Sequence, residues 1–140
     1  MGLMLLVFSG KAICAPCSGV DRRLSDAQRQ MLVPALERHL NKQLGQELGQ
    51  VIHLAAEDVF KSFRVGKWHI IYLNSHVSDE PFLFYRSAPD QAEAYITAWA
   101  GAAASDEGDA IYTWVRREVP GIPKNLAACF AWYVTAARDR

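Results

Sequence analysis

The chain has 140 residues, 51% of them hydrophobic and 21% charged, with fifteen Lys plus Arg balanced by fifteen Asp plus Glu. Such a chain has the length of one domain and the composition of a globular one. It carries no basic excess of the kind that marks a nucleic-acid binder, so nucleic acid is not an expected partner.

Met1 to Phe8 form an uncharged apolar run, which passes through Ser9-Gly10-Lys11 into Ala12-Ile-Cys-Ala15, with Pro16 next. Apolar core, small residues and then a polar chain is the order of a secretory leader, predicted here over residues 1–15 with a single domain in residues 16–140. No Lys or Arg precedes the run and it is short, so the alternative is an N-terminal strand of the mature fold. A membrane span is not expected, because it needs about 20 apolar residues. The predicted location is therefore periplasmic or secreted.

In an oxidising compartment Cys17 and Cys129, near the two ends of the domain, become disulfide candidates. Cys14 is then lost with the leader or left as an odd thiol. The alternative is three reduced cysteines, with Cys129 a small buried hydrophobe. Cys14-Ala-Pro-Cys17 also spells a redox-type spacing, but no strand precedes it, so an oxidoreductase is not expected.

Ser25-Asp26 opens a helical pattern in which Leu32, Leu36, Leu40 and Leu44 recur at four-residue spacing. Pro34 falls inside it and must kink or restart the helix. Gly45 and Gly49 are expected to end it. Strands follow at residues 59–65 and 68–74 around Gly66-Lys67, the pair that suits a two-residue type II′ hairpin. In the second arm neither face is polar, which predicts a central strand covered on both sides. Residues 82–85 and 95–100 supply two more strands, for an antiparallel meander. A second helix is expected from Ser105-Asp106-Glu107 to Pro120, with Ile111, Trp114 and Val115 inward. From Pro123 the pattern is ambiguous; a turn of helix and then a fifth strand at residues 129–135 is the reading adopted. The expected class is α+β: a four- to five-stranded antiparallel sheet packed with two main helices.

The most chemically loaded stretch is His76-Val-Ser-Asp-Glu80, an imidazole, a hydroxyl and two carboxylates on one turn. His76, Asp79 and Glu80 could serve a hydrolase or a metal-dependent enzyme, with a carboxylate orienting the imidazole as a base. Ser and Asp are also ordinary turn formers. As a plain surface residue, His76 would cost no more than about 0.5 kcal/mol on replacement by Ala, and metal would leave the melting temperature unmoved. Trp68, Tyr72, Phe82, Phe84, Tyr85, Tyr95 and Trp99 form an aromatic strip, expected to be core for the most part, with one or two left for recognition.

The stretches Trp68-His-Ile-Ile-Tyr-Leu-Asn-Ser-His-Val-Ser-Asp-Glu-Pro-Phe-Leu-Phe-Tyr85, Trp99-Ala-Gly-Ala-Ala103 and Pro120-Gly-Ile-Pro…Leu126-Ala-Ala-Cys-Phe-Ala-Trp-Tyr-Val-Thr135 resemble small uncharacterised secreted and periplasmic proteins of proteobacteria. That resemblance implies export and a compact domain, and supplies no activity. The functional expectation is a non-enzymatic module that binds a partner protein or a small ligand in the cell envelope, with no cofactor and no metal. The enzyme at His76, Asp79 and Glu80 is the alternative.

Overall fold

The computed structural model describes residues 15–138. The predicted leader therefore lies outside the described residues except for Ala15, and Cys14 lies outside them too. Helix α1 (Asp26–Leu40) begins at a capping box: the Ser25 hydroxyl accepts the Gln28 N–H, and the Gln28 side chain accepts the Ser25 N–H. It runs through Pro34 without a break. Pro34 cannot donate to the carbonyl of Gln30, but both residues are exposed, so water can satisfy that carbonyl.

Gly45 does not end the helix. The chain passes through a π turn (Asn41–Gly45) into the short α2 (Gln46–Leu48), and Gly49 closes it with φ 63°. Gly45 instead admits a close approach: a Cβ there would stand 2.7 Å from the Gln50 carbonyl and 2.9 Å from Asn41 Oδ1. The returning chain is stitched to the helix by Asn41, whose side chain donates to the carbonyls of Glu37 and Ile52 and accepts the Ile52 N–H.

Strands β1 (Val59–Val65), β2 (Trp68–Leu73), β3 (Phe82–Tyr85) and β4 (Tyr95–Trp99) form one antiparallel sheet in chain order. The expected meander is therefore present. Val65 pairs with Trp68 across Gly66-Lys67, and only Gly66 of the two has a positive φ, 58°, as a type II′ turn requires. A bulge at Phe60 shifts the β1 register between Val59 and Lys61.

Helices cover both faces. On one, α1 supplies Leu36 and Leu40 against Val59, Ile71, Leu73, Leu83 and Tyr85. On the other, α3 (Gly108–Glu118) and α4 (Lys124–Trp132) lie over Phe63, Ile70, Tyr72, Phe82 and Phe84. Strands β2 and β3 are thus covered on both sides, and every residue of β3 is buried.

Two further expectations need correction. α3 begins at Gly108 rather than at Ser105, because Glu107 takes the N-cap position and its carboxylate accepts the Ala104 N–H. The fifth strand does not exist: residues 129–135 continue α4 and run into a π turn (Tyr133–Ala137). Leu126, Ala127, Cys129, Phe130 and Ala131 are all buried, so this helix is apolar nearly all round and shows no clean 3.6-residue alternation. The Thr135 hydroxyl donates back to the Ala131 carbonyl, a bond that suits a helix interior and accommodates the β-branched residue.

Cys17 and Cys129 are bridged, with a Cα–Cα separation of 4.5 Å. The bridge ties the N-terminal segment to the middle of α4. Beyond it, Asp21 forms both backbone hydrogen bonds with Arg64, so the segment also covers the free edge of β1 at that point. Among the described residues no helix is long and apolar enough to cross a membrane.

Candidate functional site

The His76 turn is assembled differently from the sequence expectation. His76 Nε2 lies 2.8 Å from Asp58 Oδ1, so its carboxylate partner is Asp58 and not Asp79 or Glu80. Asp58 is buried at the end of a 3₁₀ turn (Ala56–Asp58), and its other oxygen accepts the Ala55 N–H. His76 itself is exposed, takes a left-handed φ of 67°, and has its N–H held by Asn74 Oδ1. Asp79 and Glu80 are also exposed. Behind the turn Ser75 is fully buried, its hydroxyl 3.0 Å from that of Ser78.

The geometry orients one imidazole against one carboxylate. It brings neither Asp79 nor Glu80 to that pair through a hydrogen bond, and no three His, Cys, Asp or Glu side chains among the described residues could together hold a metal ion. The pair ties the exit of the 3₁₀ turn to the end of β2. His76→Ala is therefore expected to cost about 1–2 kcal/mol, the worth of a hydrogen bond to a charged group with a buried partner left behind. Urea unfolding at neutral pH checks this, and a loss below about 0.5 kcal/mol would return His76 to the status of a plain surface residue.

A second polar cluster lies under α1. His39 Nδ1 is 2.9 Å from the Tyr85 hydroxyl, and the rings of His39, Tyr85 and Tyr95 stand 5.3–5.8 Å apart, centre to centre. Burial pushes the Tyr85 phenol far above its ordinary value and raises Tyr95 as well. His39 is lowered, first by burial and then by Arg38 and Lys42, so the neutral ring is favoured there. A small pocket of about 170 Å³ opens beside it, lined by Leu40, Leu44, Leu83 and Ala98 as well as His39 and Tyr95.

Two larger depressions flank the N-terminal half of α1. One is an open groove of about 900 Å³, with Phe60, Tyr72 and Tyr133 as aromatic walls and Arg29, Lys61 and Glu80 among its charged residues. Arg29 is fixed there by donating to the Val59 carbonyl at the bulge. Glu80 is the one residue of the predicted His76, Asp79 and Glu80 set that lines it. Of the aromatic strip, Phe82, Phe84 and Tyr85 are core, as expected; Tyr72 reaches this groove and Tyr95 the small pocket.

The other depression, about 270 Å³, lies between α1 and the β1–β2 hairpin. Leu24, Leu32 and Ala35 supply apolar walls, while Arg23, Arg64 and His69 supply polar ones. Arg64 and His69 are cross-strand partners. The His69 Nδ1 stands 2.7 Å from the Lys67 carbonyl, which can only accept, so Nδ1 carries the proton and Nε2 is the free nitrogen of the neutral ring. Burial is the leading reason His69 is lowered from its ordinary value, and Arg64 adds to it.

Asp21 receives Arg23 Nε and Nη2 at 3.1 Å and Arg64 Nη2 at 2.9 Å. Hydrogen bonds from Arg23 hold its carboxyl well below the usual carboxylate range, with Arg64 contributing. The Arg64 Nε is buried and has no hydrogen-bond partner among the described residues. The sequence offered no signal for Asp21 or Arg64, which meet only when the N-terminal segment crosses the sheet edge. Asp58 was more accessible: the hairpin register that pairs Val59 with Leu73 carries Asp58 to Asn74, two residues from His76. No protein-family model matches the chain, and neither a curated protein nor a solved structure matches it.

Proposed function

We propose that the protein is an exported, non-enzymatic binding module whose ligand site lies beside the N-terminal half of α1. One observation carries this reading. The depression between α1 and the β1–β2 hairpin combines the apolar walls of Leu24, Leu32 and Ala35 with the polar side chains of Arg64 and His69. The walls come from a helix and two strands, which hold a site more firmly than loops do.

Export is supported by the Cys17–Cys129 bridge, since structural disulfides persist in oxidising compartments. Mass spectrometry of protein from an exporting host should find the chain shortened near residue 15 and the two cysteines resistant to alkylation. A retained Met1 with both thiols freely alkylated would count against export.

The binding reading is tested by a fragment screen read in amide chemical shifts. Shifts are expected to cluster in residues 24–35, 62–69 and 88–90, which line the depression. Hits confined to the neighbourhood of His76 would move the site to the alternative, enzymatic location.

A further inference from the structure

We infer that the small pocket at the C-terminal end of α1 binds an uncharged one-ring molecule carrying a single oxygen, as a simple phenol does, with that oxygen on His39 Nε2 and the Tyr95 hydroxyl. The site shares no residue with the depression between α1 and the β1–β2 hairpin and stands independently of it. Its polar end follows from one hydrogen bond. The Tyr85 ring is fully buried, and burial keeps its phenol protonated. Its O–H therefore needs an acceptor, and His39 Nδ1, 2.9 Å away, is the one the described residues provide. Were Nδ1 to carry the ring proton, that phenol hydrogen would be buried without a partner. Nδ1 thus accepts, and the neutral ring carries its hydrogen on Nε2.

His39 Nε2 and the Tyr95 hydroxyl have no hydrogen-bond partner among the described residues. Neither is shut away from solvent: the buried side-chain nitrogens and oxygens left unpaired among those residues are Arg64 Nε and Arg138 Nη1. His39 and Tyr95 both line the pocket, whereas Tyr85, which occupies Nδ1, does not. The pocket is therefore offered an N–H donor and a hydroxyl that can donate or accept. A phenol oxygen accepts from the first and exchanges a hydrogen bond with the second.

The rest of the lining sets charge and size. No Lys, Arg, Asp or Glu lines the pocket, so an ionised ligand would lose its hydration without meeting a counter-charge. Leu40, Leu44, Pro81, Leu83 and Ala98 supply the apolar wall. The volume, about 170 Å³, is close to the roughly 150 Å³ at which an apolar cavity takes up benzene. One six-membered ring fills it.

The test is a titration of the intact, disulfide-bonded protein at neutral pH with phenol, benzene and benzoate, followed by amide shifts and the His39 ring nitrogens. Phenol is expected to move His39 Nε2 and the amides of Leu83, Tyr95 and Ala98 saturably, and to bind about tenfold tighter than benzene. Benzoate is expected to leave them in place. Tyr95→Phe removes a hydroxyl that makes no hydrogen bond among the described residues, so it should fold normally and reduce the preference for phenol. Ala98→Leu, at an exposed strand position, should fill the pocket and abolish the binding of phenol and benzene alike. Equal affinity for phenol and benzene would overturn the polar assignment, and benzoate binding as tightly as phenol would overturn the uncharged one. Phenol shifts that survive Ala98→Leu, or no shift at these residues in the unmodified protein, would overturn the site itself and leave the depression at the other end of α1 untouched.

Discussion

Replacing Cys17 and Cys129 together by serine should lower the stability of the protein by about 4–5 kcal/mol. The two residues are 112 apart in sequence, so the bridge closes almost the whole domain into a loop. In the chain-entropy picture the bridge acts mainly on the unfolded chain, which is denied its most expanded conformations. Two signatures follow. The urea midpoint should fall, and the denaturant slope should rise because the freed unfolded chain exposes more surface. For a domain of this size the melting temperature should drop on the order of 10–20 °C.

Cys129 is completely buried in α4, and serine there adds a polar group to an apolar site, which contributes in the same direction. Alanine at both positions separates the two effects: it should retain most of the loss and all of the change in slope. A loss under about 1 kcal/mol with an unchanged slope would mean that the N-terminal segment is held by Asp21 and Arg64 and that the bridge adds little.

The parts of the fold legible in the sequence are those in which local chemistry and tertiary environment agree. Gly66-Lys67 demanded a type II′ hairpin, and Ser25-Asp26 marked a helix start; the structure has both. The strands expected at residues 82–85 and 95–100 alternate or cluster as sheet residues do, and they form β3 and β4, the latter ending at Trp99. The illegible part is α4. There the helix lies between α3 and the sheet, and burial rather than propensity dictates the residue types. Cys129, Phe130, Trp132, Tyr133, Val134 and Thr135 read as a strand for that reason.

The same division runs through the site. His76 was visible as a titratable residue in a turn, but its partner Asp58 comes from the far end of the hairpin, 18 residues away. Nothing in the sequence sets Arg64 apart from the other fourteen Lys and Arg. Its position is special only because Asp21 is brought back across the β1 edge, a contact 43 residues apart in sequence. Such long-range pairs leave no trace in local pattern, whereas the register of a hairpin already found can be counted outward to find its neighbours.

Phe130→Ala should be nearly as costly as losing the disulfide, at about 3–5 kcal/mol. Phe130 is fully buried in the C-terminal half of α4. Its ring meets Phe82 and Phe84 edge-on at 5.0 Å and Trp99 at 5.6 Å, so one side chain joins α4 to β3 and β4. Phe82 in turn stacks on Tyr72 at 4.1 Å, which extends the ring network to β2. Truncation removes the apolar area and leaves a cavity that neighbouring rings, fixed on strands, cannot collapse to fill. Phe130→Leu keeps most of the volume and should cost less than about 2 kcal/mol. Trp132, on the same helix but half-buried, provides the contrast that reads out helical geometry. In a strand, residues 130 and 132 would share one face and be equally sensitive; in α4 they point about 160° apart at 3.6 residues per turn. Chemical unfolding of the Phe130→Ala and Trp132→Ala variants should therefore show the first to be clearly the more destabilised. Equal losses at the two positions would contradict the helix and favour a fifth strand over residues 129–135.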